Sequence, residues 1–96
     1  MILVGKAKIE AFATKHSSSR NALNRWVHLI ETNPFRTPQD LKNMFGGNVD
    51  FVGTQSVFDV GGNKIRVIAV VQYTVQIMIV EKVLDHRTYD KNKWKK

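Results

Sequence analysis

The stretch DVGGNKIRVIAVV, residues 59–71, decides the fold. Gly61-Gly62 ahead of a β-branched run reads as a hairpin turn, because both central positions of a tight hairpin turn favour positive φ. Taken as a two-residue turn, it sets Val60 opposite Asn63, Asp59 opposite Lys64 and Val57 opposite Arg66. Lys64 and Arg66, separated by one apolar residue, then point to the same face of the sheet.

Downstream, a turn centred on Tyr73-Thr74 leads into a second β-branched run, Gln76 to Leu84, and sets Arg66 across from Glu81. Each cation thereby gains a carboxylate, so Asp59 and Glu81 are expected to serve as structural support. Such cross-strand pairs contribute only about 0.2–1 kcal/mol, and exposed ones often nothing. The ion pairs account for the hairpin taken alone, but stability is a weak reason to place the two cations. The same geometry holds them at the polar end of an apolar face, where a carboxylate-steadied arginine keeps N–H donors for a phosphate.

Upstream of residue 49 the hydrophobic period is 3.6 rather than 2. Ile9, Phe12, Ala13 and His16 mark one helical face between Lys6 and His16, with His16 placed to meet the exposed carbonyls at the helix end. Ser17-Ser18-Ser19 offers N-caps for a second helix carrying Leu23, Trp26, Val27 and Ile30 through about residue 32. The other side of that helix gathers Arg20, Asn24, Arg25, His28 and Glu31. It reads first as a solvated face, with Arg20 and Arg25 as candidates for RNA backbone contact. Asn33-Pro34-Phe35 ends the helix. Thr37-Pro38-Gln39-Asp40 then opens one short helical turn, which Gly46-Gly47-Asn48 breaks.

Phe51-Val52, Ser56 to Val60, Lys64 to Val71 and Gln76 to Leu84 read as strands joined by short, hence antiparallel, connections. Met1-Ile2-Leu3-Val4-Gly5 reads as an edge strand; its apolar run is broken at Lys6, well short of a membrane span. The fold class is α+β: an N-terminal strand and two helices packed on a curved antiparallel β-sheet, with a short helical turn at the C-terminus. Ninety-six residues are expected to form a single domain, residues 1–96.

Fifteen Lys and Arg against eight Asp and Glu give a formal charge of +7 on this small body. That excess favours a polyanionic partner: RNA, DNA, an acidic protein or an anionic surface. The absence of cysteine excludes disulfides and thiolate metal sites and leaves a cytoplasmic protein as the expectation. No Walker loop, metal-ligand cluster or Ser/His/Asp arrangement is legible, so neither a metal nor another cofactor is expected.

The last chemistry-bearing segment is Asp85-His86-Arg87-Thr88-Tyr89-Asp90-Lys91. In a helical turn His86, Tyr89 and Asp90 share a side. In the assumed register Leu84 faces Asn63, so His86 follows close to the turn that carries Lys64 and Arg66. Histidine can give or take a proton near neutral pH, and Asp85 and Asp90 would favour its charged form. Beside a Lys/Arg pair the set has the composition of a phosphodiester site, although a surface ion pair would use the same residues. The tail Lys91-Asn92-Lys93-Trp94-Lys95-Lys96 interleaves lysines with an indole, so Lys93 and Trp94 are candidates to track a backbone and stack a base. A solvated terminus is the equally plain alternative.

These residues carry a resemblance. Leu23 with Trp26, Asp40-Leu41-Lys42, Asp50-Phe51-Val52, Val57-Phe58 leading into Gly62-Asn63-Lys64-Ile65-Arg66-Val67-Ile68, and His86-x-x-Tyr89-Asp90-Lys91 together resemble the HigB family of toxins. That family lies in the RelE-like superfamily of mRNA interferases and belongs to type II toxin-antitoxin modules. The resemblance implies a ribosome-dependent endoribonuclease that cuts translated mRNA without a metal, through the RNA's own 2′-hydroxyl, and so inhibits translation and growth. It further implies a helix-turn-helix, HigA-like antitoxin and an oligomeric toxin-antitoxin complex that binds DNA through that antitoxin. Carried over by position, Lys64 and Arg66 would hold the scissile phosphate and His86 would be the acid/base. Tyr89 and Lys91 would assist, Asn63 would contact RNA, and Asp90 would lend support. Asp85 is a departure, standing where a neutral residue is expected. Two other readings remain open from the residues alone: a non-catalytic RNA- or ribosome-binding module, and a regulatory subunit bound to an acidic protein.

Overall fold

The computed structural model describes residues 1–62 and 64–85. The expected C-terminal helical turn, and with it His86, Tyr89, Asp90, Lys91, Lys93 and Trp94, lies outside the described residues, as does Asn63.

Strand β1 (Ile2–Val4) leads through Gly5 into helix α1 (Lys6–Lys15). A 3-10 turn (Ser17–Ser19), helix α2 (Arg20–Glu31) and helix α3 (Pro38–Phe45) follow. A second 3-10 turn (Gly46–Asn48) then opens the run of strands β2 (Val49–Val52), β3 (Gln55–Val60), β4 (Ile65–Gln72) and β5 (Ile77–Asp85). The five strands form one sheet in the order β1-β5-β4-β3-β2. This is the expected α+β class, with two amendments. The sheet is mixed, because β1 runs parallel to β5 while the other pairs are antiparallel. The expected single turn after Thr37 is a full third helix of eight residues.

That third helix is fixed by its cap. The Thr37 hydroxyl accepts the Asp40 N–H at 3.3 Å, the Asp40 carboxylate accepts the Arg36 N–H at 2.8 Å, and Pro38 occupies the first turn, where a missing N–H costs nothing. The serines before α2 act differently from the expected caps. Ser19 sits at the N-cap with helical dihedrals, and its hydroxyl donates backwards to the His16 carbonyl at 2.6 Å.

All three helices cover one face of the sheet. Ile9, Ala13, Leu23, Trp26, Ile30, Phe35 and Leu41 pack there against Leu3, Val49, Phe58, Val60, Ile65, Val67, Ala69, Met78 and Val80. Phe58 lies at the centre, with edge-on contacts to Trp26 and Phe45, each at 5.2 Å between ring centroids. Ser56, also on this face, is buried, and its hydroxyl is satisfied by a hydrogen bond with the Tyr73 phenol. Burial raises the Tyr73 pKa, and the Ser56 bond partly opposes the shift.

The second face presents Gln55, Val57 and Asp59 of β3 beside Val70, Ile68 and Arg66 of β4, because strand neighbours alternate between faces. Val57 and Ile68 form a small separate apolar cluster there, with Val52 and Leu84 packed against it.

Two backbone positions make the architecture possible. Gly5 joins β1 to α1 at φ +94°, and a Cβ at that position would lie 2.8 Å from the Val80 carbonyl oxygen. Gly5→Ala is therefore expected to cost about 2 kcal/mol or more, through left-handed backbone strain and displacement of β5. A lowered urea midpoint at unchanged m-value checks this. The other position is Gln76, with φ +59° in the β4–β5 turn. Its side-chain amide donates to the carbonyls of Phe35 and Tyr73, both at 2.7 Å, and its Oε1 accepts the Phe35 N–H at 3.2 Å. These bonds hold the loop after α2 against the turn and offset the strain of a non-glycine residue in that conformation.

Candidate functional site

The polar end of the sheet is set by the register of β3, β4 and β5. Asp59 pairs with Arg66 and Val60 with Ile65, so the connection is longer than the expected Gly-Gly turn and Lys64 belongs to the turn rather than to the strand. The carboxylate expected opposite Lys64 therefore serves Arg66: Asp59 Oδ1 accepts from Arg66 Nε at 2.9 Å. Gly61 and Gly62 do adopt positive φ, +67° and +66°, as the glycines of such a turn should.

The register of β4 with β5 also differs from expectation. Arg66 lies opposite Leu84 and Ile65 opposite Asp85. Between Ile68 and Ala69 the ladder shifts, with Ile68 opposite Lys82 and Ala69 opposite Val80, so Glu81 has no partner of its own and forms a β-bulge. Glu81 consequently does not support Arg66. Its carboxylate accepts the Gln55 side-chain amide at 2.6 Å, and its backbone carbonyl accepts Lys8 Nζ at 2.9 Å.

Arg66 is the one charged side chain in the buried set among the described residues, at 9% side-chain exposure against 27% for Asp59. A guanidinium so withdrawn from water needs acceptors to offset its desolvation, and besides the Asp59 carboxylate the Ile65 carbonyl lies at 3.5 Å from Nη1. With five N–H donors, an arginine can satisfy a carboxylate and a further anion at once. The Arg66–Asp59 pair thus holds a guanidinium in place at the sheet end, next to the end of β5 at Asp85.

Lys64 stands apart from this pair. It lines a cleft of about 280 Å³ on the helix side of the sheet end, together with Phe12, His16, Ser18, Ser19 and Asp85. The turn closes against α2 at the cleft floor, where a Cβ on Gly61 would meet the Ala22 methyl at 3.4 Å. The two cations of the Lys-x-Arg segment therefore serve opposite sides of the sheet end instead of forming one clamp. His16, read from sequence as a helix-end residue, stands at the mouth of this cleft with its ring stacked on Phe12, centroids 4.4 Å apart. Its partnership with Lys64 depends on the fold bringing residues 16 and 64 together, and no local pattern announces it.

Of the α2 candidates, Arg20 is engaged: its Nη1 contacts both Glu10 carboxylate oxygens, at 2.8 and 2.9 Å. The hydrogen bond and the charge of Arg20 hold Glu10 below the usual carboxylate range, and Arg20 is correspondingly raised. This exposed pair is therefore present at neutral pH and lost only as acid titrates Glu10 through its lowered pKa. Arg25 is exposed on the same helix. Glu31, from the same polar sector, bonds Lys6 at 3.0 Å.

A three-helix layer on one face of a mixed five-stranded sheet, with a cationic end where β4 meets β5, is the build of a RelE-like toxin. The chain belongs to the HigB toxin family: residues 19–92 match the family described as the RelE-like toxic component of a toxin-antitoxin system. Among curated proteins it is 31% identical over 93 residues to the mRNA interferase HigB of Escherichia coli O6:H1 strain CFT073, a match covering 95% of this chain and 90% of that protein. It is 29% identical over 92 residues to the mRNA interferase toxin HigB of Escherichia coli K12, covering 94% and 88%. Membership of a toxin-antitoxin family implies an antitoxin partner. No helix among the described residues is long and apolar enough to cross a membrane.

Proposed function

We propose that this protein is an endoribonuclease that cuts mRNA on the translating ribosome and is neutralised by a helix-turn-helix antitoxin. The observation that carries this reading is the Arg66–Asp59 pair, with Arg66 buried near the end of β4 and cross-strand from Leu84, in a chain that aligns along nearly its whole length with mRNA interferases.

In the proposed reaction the 2′-oxygen attacks the adjacent phosphorus and the bond from phosphorus to the 5′-oxygen breaks. A base takes the 2′ proton and an acid protonates the leaving 5′-oxygen, leaving a 2′,3′-cyclic phosphate and a 5′-hydroxyl. Attack by the RNA's own hydroxyl requires no metal. Arg66 would stabilise the charge that develops on the phosphoryl oxygens, since a preorganised donor in a water-poor site acts there without reorganising. His86 is the proton-transfer candidate, with Tyr89 and Lys91 assisting and Asp90 in support. Asn63, Lys64, Arg25, Lys93 and Trp94 would hold the strand on either side. Arg20 contributes less, because Glu10 already occupies it.

The test is cleavage of a defined mRNA on programmed ribosomes, with the product ends analysed and the same RNA offered free of ribosomes. The expected outcome is scission on the ribosome with cyclic-phosphate and 5′-hydroxyl ends, unaffected by a chelator at concentrations that leave ribosomes intact. Salt-sensitive RNA binding with no scission would instead establish the non-catalytic binding module.

A further inference from the structure

The cleft at the α1–α2 corner lies outside the bond-breaking steps just described, although Lys64, which lines it, is among the residues given to the strand. An imidazole, an ammonium and the Ser18 and Ser19 residues line about 280 Å³ there. That volume is near the lower end for small-molecule pockets, enough for one nucleotide unit. His16 is exposed, but its ring is not loose, because Phe12 backs it at 4.4 Å with the planes inclined by 26°. Phe12 in turn packs on the main core. One face of the imidazole is thus braced, so a flat ligand can stack on the ring at little further cost in side-chain ordering.

From these observations we infer that His16 and Lys64 form a nucleotide subsite for the RNA strand, with a base stacking on the braced His16 ring and a flanking phosphate meeting Lys64. The chemistry fits a polyanion with planar bases better than other ligands. Single-stranded nucleic acid is held by a cation for the backbone and an aromatic plate for the base, and the protein carries a formal charge of +7. Asp85 at the cleft wall disfavours a second phosphate there, so the subsite takes one nucleotide. Because Lys64 lies on the helix side and Arg66 on the other, the RNA would pass around the β3–β4 turn, with its reactive phosphate at Arg66 and a neighbouring nucleotide in the cleft. His16 is in this sense an RNA-contacting residue, outside the bond-breaking steps.

The inference rests on the proposed cleavage of mRNA, and the test separates the two. Single-turnover cleavage on programmed ribosomes is measured against toxin concentration for wild type, His16→Ala and His16→Phe, with thermal melts confirming that each folds. His16→Ala is expected to raise the half-saturating concentration about fivefold or more with the plateau rate kept, and His16→Phe, which retains a plate against Phe12, is expected to restore most of it. If wild type cleaves and His16→Ala matches it at all concentrations, the subsite is wrong while the proposed activity stands. If His16→Ala cleaves normally but escapes the antitoxin, the cleft is a protein-docking site and the inference is overturned. If wild type does not cleave at all, both fail.

Discussion

Arg66→Met is expected to lose cleavage on programmed ribosomes by about 100- to 1,000-fold, the range found when one preorganised donor to a developing oxyanion is removed. Methionine is chosen because it keeps much of the arginine's length and apolar stem, so the small cluster of Val57, Ile68, Val52 and Leu84 on the same face stays filled. Arg66→Lys is the informative companion. It keeps the charge but not the planar fork, so it should recover only part of the rate. The proton-transfer role given to His86 predicts a loss of about 100-fold or more for His86→Ala in the same assay. An Arg66→Met protein that cleaves at the wild-type rate would remove Arg66 from the site.

Asp59→Ala is expected to be the more damaging change to the fold, although alanine removes fewer atoms. It strips the 2.9 Å Asp59 acceptor from a guanidinium that is 9% exposed, removing one charge partner of a buried cation. Breaking a fully buried pair in this way costs about 3–5 kcal/mol. Asp59 itself is 27% exposed and water can partly replace it, so about 2–3 kcal/mol is expected. For a chain of this size that corresponds to a fall of roughly 10 °C or more in the melting temperature. Asp59→Asn keeps an oxygen for Nε and should recover much of the loss. Equal melting temperatures for the alanine and asparagine variants would show that the pair carries no such weight.

The alternation of faces was legible from sequence, whereas the pairing of partners was not. Reading Gly61-Gly62 as the whole turn displaces the β3–β4 register by two residues. A displacement of two leaves the side chains within the strands on their expected faces, Arg66 beside Ile68 and Val70, but it sets Asp59 opposite Lys64, which the structure moves into the turn and to the other side. The β4–β5 register fails for two reasons. Gln72 pairs with Ile77 rather than Val75, a displacement of two set by the longer turn, and the bulge at Glu81, which nothing in Val80-Glu81-Lys82-Val83 marks, adds one more, so Leu84 replaces Glu81 opposite Arg66. The start of α3 was readable from its Thr37-Pro38 cap, but its length was underestimated because Phe45, in its last turn, packs on Phe35 and Phe58 elsewhere in the core. The cleft holding His16 and Lys64 was invisible because it exists only once α1 and the β3–β4 turn have met.

The parallel pairing of β1 with β5 also bears on when this toxin can become harmful. Strands β2 to β5 meet their neighbours through short connections, but Ile2 pairs with Ile77 and Val4 with Ile79, a contact that closes almost the entire chain. Such a closure comes late, after the local hairpins have formed. During synthesis β1 has no strand to join until residues 77–79 have left the ribosomal tunnel, and the sheet end that carries Arg66 waits on the same β5 for its second neighbour. A partly made chain is therefore expected to lack the finished site, and the interval before release gives an antitoxin time to reach its target.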